Sequence, residues 1–122
     1  MNRITLSGNL GDGAQSRATN NGGMATFSMA VSERRKNEQG QWETTRTDWF
    51  DCVIYTREAS SAERIAGHLT NGTRLLLSGK MQSREYEKDG QKRTAWQVRV
   101  EEFEILSSKE SKERNDDPFA SR

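Results

Sequence analysis

TDWFDCVIYT, residues 47–56, alternates with period two and carries aromatic rings on both of its faces. Successive side chains of a strand point to opposite sides of the sheet. Trp49, Asp51, Val53 and Tyr55 therefore share one face, and Phe50, Cys52 and Ile54 share the other. The second set is apolar and has the parity expected of a core. The first leaves a tryptophan and a tyrosine on the side a core does not need.

The same alternation extends to both sides of this strand. In NRITLSGNL (2–10) the inward positions are Ile4, Leu6 and Leu10, with Gly8 keeping their parity, and a glycine inside a strand marks a bend. TNNGG (19–23) reads as a loop from its Asn and Gly content. MATFSMAVSER (24–34) sends Ala25, Phe27, Met29 and Val31 inward and Arg34 outward. RKNEQGQWET (35–44) then forms a polar hairpin tip, inside which parity does not decide where Trp42 points.

Past Tyr55 the period changes. In REASSAERIAGHL (57–69), Ala59, Ala62, Ile65, Ala66 and Leu69 recur at helical spacing, and NGT (71–73) supplies a glycine to end the helix. TRLLLSGKMQSREYEK (73–88) returns to alternation, with Leu75, Leu77, Gly79 and Met81 inward and Leu76, Ser78, Lys80, Gln82, Arg84 and Tyr86 outward. KDGQ (88–91) signals a two-residue hairpin, because Asp-Gly accepts the positive φ values of a type I′ turn. The last strand (93–106) places Thr94, Trp96, Val98 and Val100 in the core; a bulge near Glu101–Glu102 then moves Phe103 and Ile105 to the inward side.

Three strands, a helix and two strands, with bending glycines in the first and fourth strands, predict an all-β chain: a five-stranded OB-fold barrel with one helix between strands 3 and 4. An open five-stranded sheet packed on one helix is the competing architecture. Residues 1–106 form the expected domain, and residues 107–122, almost without apolar side chains, have the composition of a disordered tail.

Composition restricts the function. With 122 residues, 31% of them hydrophobic, the chain supports one domain, and no apolar run approaches the roughly 20 residues of a membrane helix. Its opening strand does not read as a signal segment, and a single cysteine excludes an internal disulfide and Cys-x-x-Cys metal sites, so a reducing cytoplasm is the expected location. The formal net charge of +1 shows no basic bias, and residues 1–106 hold 15 Lys and Arg against 14 Asp and Glu. Any electrostatic footprint must arise from how charges sort between faces.

The outward positions supply one. Trp49, Tyr55 and Tyr86 are flat rings, and Arg34, Lys80, Arg84 and Arg99 are cations among them, with Trp42 a further candidate at the hairpin tip. Rings and guanidinium planes stack on the π-face of any unpaired base, at about 1–3 kcal/mol per base, while cations neutralise phosphates. Duplex DNA hides those faces, so the partner expected is a single strand. Taken one at a time these residues have ordinary readings too, as interface anchors, rim tyrosines or a solvated cationic face.

Nothing in the sequence predicts catalysis. His68 lies near the helix C-terminus, where a cation suits the dipole. Cys52 has core parity and no adjacent base. Glu101–Glu102 are strand neighbours pointing apart, and Asp116–Asp117 sit in the tail. No catalytic residue, metal site or cofactor is expected.

SGNLG (7–11), NGGMATFSMAVSE (21–33), TDWFDCVIY (47–55), RIAGHLTNGTRLLLSGKMQSREYEKDGQ (64–91) and DDPF (116–119) together resemble the bacterial single-stranded DNA-binding protein (SSB) family. The resemblance implies an OB-fold, usually homotetrameric, that coats single-stranded DNA in replication, repair and recombination. It also places family base-stacking positions on Trp49, Tyr55 and Tyr86. A fourth, usually tryptophan, aligns with Arg34, which retains a planar cation. Where the family usually carries His-Arg after the tryptophan, this chain has Phe50-Asp51, and an outward carboxylate there repels phosphate. The resemblance assigns partner-protein recruitment to Asp116, Asp117, Pro118 and Phe119, although Ala120, Ser121 and Arg122 follow and displace the terminal carboxylate from Phe119. An OB-fold adaptor of the primosomal kind, working mainly through protein contacts, is the alternative function.

Overall fold

The long alternating stretches become long strands. A computed structural model describes residues 1–107, so Asp116, Asp117, Pro118 and Phe119 and the expected tail lie outside the described residues. In chain order the elements are β1 (Ile4–Leu10), β2 (Gln15–Thr19), β3 (Gly22–Lys36), β4 (Trp42–Thr56), α1 (Ala59–His68), β5 (Arg74–Lys88) and β6 (Gln91–Ser107). The sheet runs β1-β5-β6-β4-β3-β2, and β1 also meets β3 at Asn9–Ala30 and Leu10–Met29.

This corrects the expected fold. The architecture is OB-like, but it is a six-stranded sheet and not a closed five-stranded barrel, and the helix follows the fourth strand, not the third. The additional strand is β2, paired with β3 from Gln15–Thr26 to Thr19–Gly22. Its sequence, QSRAT, is exposed over four of its five positions, so it has no apolar alternation to reveal it. Thr19 and Gly22 are paired strand residues, which shrinks the expected TNNGG loop to Asn20 and Asn21.

The core follows inward parity closely where two layers of sheet face each other. Leu10, Ala25, Phe27, Met29, Cys52, Ile54, Leu75, Leu77, Val98 and Val100 are buried, with Leu69 from the end of α1. Burying side chains of this size stabilises by about 1.5–3 kcal/mol each. Gly8 and Gly79 are points of close backbone approach: a Cβ on Gly8 would strike the Ala30 carbonyl oxygen, and one on Gly79 the Arg99 carbonyl oxygen. The anticipated bulge is also present. Ser78 pairs with Glu102 and Gly79 with Val100, leaving Glu101 as the extra residue.

Four inward assignments on β6 are corrected. Trp96 is 61% exposed, and Phe103 and Ile105 are 36% and 40% exposed. Thr94 is likewise exposed. The reason is how far the layers extend. β4 and β6 pair only at Cys52–Val98 and Val53–Arg99, so β6 residues on either side of that junction lack β4 as a neighbour.

α1 packs against the start of β3. A Cβ on Gly23 would come within 2.8 Å of the Ala59 Cα, so the glycine lets the helix approach. The helix ends where the Leu69 N–H donates to the Ala66 carbonyl; Gly72, at φ 83°, serves the following turn and not the helix cap. At the β5–β6 turn, Asp89 and Gly90 have φ of 54° and 77°, the left-handed pair a type I′ turn requires.

Candidate nucleic-acid interface

Two hairpin arms leave the Cys52–Val98 junction together. β4 and β6 run parallel there, so the β3–β4 tip and the β5–β6 tip project toward the same end of the sheet. Directly paired residues share a face, and the register therefore sorts every side chain on both arms.

On the β3–β4 arm, Ala30 pairs with Trp49, Ser28 with Asp51 and Met24 with Tyr55. Toward the tip the register shifts: Glu33 pairs with Arg46 but Arg34 pairs with Thr44, leaving Thr45 as an extra residue. That bulge reverses parity and brings Trp42, opposite Lys36, onto the face of Arg34 and Trp49. Trp42 is 61% exposed and the Lys36 ammonium lies 5.8 Å from its ring centroid. Within the tip, the Asn37 side-chain oxygen accepts from the backbone N–H of Gln39 and Gln41, which fixes the turn.

On the other arm Lys80 pairs with Arg99, Arg84 with Ala95 and Tyr86 with Arg93. Arg99 also stands opposite Val53 of β4 and thereby joins the two arms. Its guanidinium lies 5.3 Å from the ring centroid of Tyr55. Tyr55, Arg99 and Lys80 thus form one compact group at the junction. Trp49 sits six residues from Tyr55 along β4, and Tyr86 six residues from Lys80 along β5, each roughly 20 Å away at strand rise. Arg34 and Trp42 lie farther still, at the hairpin tip. The residues picked out from sequence are spread along one face as a track and do not gather in a single pocket.

Charge sorts the same way. On that face of the arms Arg34, Lys36, Lys80, Arg84, Lys88, Arg93 and Arg99 stand against Asp51 alone. The opposite face holds Glu33, Glu43, Asp48, Glu85 and Glu87 with Arg35, Arg46 and Lys92. There Arg46 Nε donates to Asp48 at 3.0 Å, and that hydrogen bond holds the Asp48 carboxyl below its ordinary value. A nearly neutral chain therefore presents one cationic face. Lys36, Lys88 and Arg93 were missed in the sequence because the first two lie at hairpin tips and the third's role depends on register.

Asp51 is held within the track. The Ser28 hydroxyl donates to its Oδ1 at 3.1 Å. Trp49 is held from below: a Cβ on Gly11, in the β1–β2 loop, would come 2.7 Å from its Cζ3. Cys52 on the opposite side of the strand is buried, and burial, with the Asp51 charge adding to it, pushes its thiol up to about 12. A thiol so protonated is no nucleophile. His68 is exposed, and among the described residues no cluster of His, Cys, Asp or Glu is arranged to hold a metal ion.

Residues 1–106 match the sequence model of the Single-strand binding protein family. The chain belongs to that family, whose members bind single strands and are not enzymes. Among its relatives, single-stranded DNA-binding protein 3 of Streptococcus agalactiae serotype V is 34% identical over 116 residues, covering 93% of this chain and 80% of that one. Two solved structures share the fold at 23% identity. The small single-stranded DNA-binding protein of Streptomyces coelicolor superposes with a TM-score of 0.69 over 84% of this chain and 92% of its own. The Plasmodium falciparum SSB in complex with ssDNA superposes at 0.70 over 88% and 96%.

Proposed function

We propose that the chain binds single-stranded DNA without sequence preference, laying unpaired bases on Trp49, Tyr55, Tyr86 and Trp42 while Arg34, Lys80, Arg84 and Arg99 neutralise the backbone. The observation that carries this reading is the sorting of rings and cations onto one face by strand register, with the Arg99 guanidinium over the Tyr55 ring. A guanidinium stacked on one side of a phenol leaves the rest of the ring for a base and attracts phosphate to the same place. Asp51 is the single opposing charge on that face of the arms, and it weakens binding beside Trp49. Family membership supports a place in replication, repair and recombination.

Two further proposals come with family membership. β1 pairs with β5 from Ile4 to Asn9, while β3 reaches only Asn9 and Leu10, so the other edge of β1 over Ile4–Gly8 is available to a second copy; assembly is as a homo-oligomer, tetramer favoured. Asp116, Asp117, Pro118 and Phe119 recruit replication or repair proteins.

Titration with oligo(dT) tests the central reading. Tryptophan emission should be quenched, and affinity should fall as salt rises because phosphate counterions are released on binding. No quenching and no anisotropy change at low salt would overturn it, and would favour the adaptor function. Light scattering with and without oligonucleotide measures the assembly.

A further inference from the structure

Beyond the two-residue junction of β4 and β6 the arms part, and the sheet has a slot there. The slot is a groove of about 520 Å³ lined by Arg17, Ser28, Asp51, Arg84, Trp96 and Gln97, among others. Ser28, Asp51 and Arg84 have outward parity, whereas Trp96, paired with Ser83, belongs to the inward side of its arm, so the groove passes from one face of the sheet to the other. Trp96 remains 61% exposed within it, as exposed as Trp49 at 62%.

We infer that this slot takes an unpaired nucleobase, stacked on Trp96, as a binding position additional to those of the outer track; the inference rests on the single-strand-binding reading. Three features select a base over other occupants. The groove lies between the two arms, where a strand running along the outer track would pass. An exposed indole offers a flat apolar face, and Gln97, Ser28 and Asp51 offer hydrogen-bonding groups to the edge of a heterocycle. Asp51 opposes a phosphate inside the groove, while Arg17 and Arg84 supply the cations that hold phosphates flanking an inserted base. The occupant is thus polar at its edge, flat, uncharged and attached to anions.

The test uses the full chain and oligo(dT). Trp96→Ala should weaken binding by about 5- to 150-fold, the loss general to one stacked base, and Trp96→Phe should recover most of it. Because the side chain is exposed, circular dichroism and the melting midpoint should stay as in the parent. A second measurement does not depend on that variant: with Trp42→Phe and Trp49→Phe, Trp96 is the sole tryptophan, and its emission should be quenched as oligonucleotide binds. Unchanged affinity of Trp96→Ala, or unquenched emission from the sole-Trp96 protein while anisotropy reports a complex, overturns the inference and leaves the outer track intact. A Trp96→Ala protein with parental affinity but a smaller mass by light scattering also overturns it, by showing the slot to be a subunit contact. Failure of the parent chain to bind oligo(dT) removes both readings.

Discussion

The two-layer part of the sheet and its two arms obey the same alternation and use it differently. Where layers face each other, inward parity means burial: Leu75, Leu77, Met29 and Val98 are fully enclosed. On the arms, parity only chooses a side, and Trp49 and Trp96, on opposite sides, are exposed to nearly the same extent. Alternation is a property of one strand, whereas burial requires a second layer. The buried core therefore lies at one end of the molecule, and the proposed track starts beside it at the junction and runs out along the arms.

Substitutions at the two ends should separate these properties. The largest effect belongs to the core: Leu77→Ala should cost about 2–5 kcal/mol in chemical denaturation, with oligonucleotide affinity preserved in whatever fraction stays folded. On the arms the reverse holds. Trp49→Ala should weaken oligo(dT) binding by about 1–3 kcal/mol in anisotropy titrations, while the unfolding free energy changes by no more than about 0.5 kcal/mol. A large stability loss in Trp49→Ala would break the contrast.

Cys52 sharpens it with pH. The thiol is held protonated in the fold, so its contribution is complete below the unfolded value near 9 and is lost as pH rises toward about 12. Stability should fall across that alkaline window, Cys52→Ala should flatten the fall, and a thiol reagent should label Cys52 only on unfolding. The smallest effect concerns the one carboxylate of the track. Asp51→Asn keeps an oxygen for the Ser28 hydroxyl and removes the charge, and should raise oligonucleotide affinity a few-fold at low salt, with the gain shrinking as salt screens it. An unchanged affinity would place phosphates away from Asp51.

Much of the base of the fold was legible in sequence, because Phe27, Cys52, Leu77 and Val98 lie where local alternation and tertiary burial coincide. The Glu101 bulge and the Asp89-Gly90 turn were legible from a parity shift and an Asp-Gly pair, both written in the local sequence. The strand β2 was not, since a polar edge strand needs no apolar period. Trp96 was misplaced, because only the end of the β4–β6 pairing reveals that no layer covers it. The candidate track was legible as a set of outward side chains. Its extent was not, because Trp42 joins it through a bulge at Thr45 that TTRT does not announce.

The absence of a side chain at Gly11 bears on how Trp49 meets a ligand. The β1–β2 loop runs under the indole at a distance that any β-carbon would disturb, so the backbone serves as a floor limiting the ring's rotation. A ring already seated loses little freedom when an aromatic guest arrives, and the length of the short segment joining β1 to β2 sets the height at which it waits.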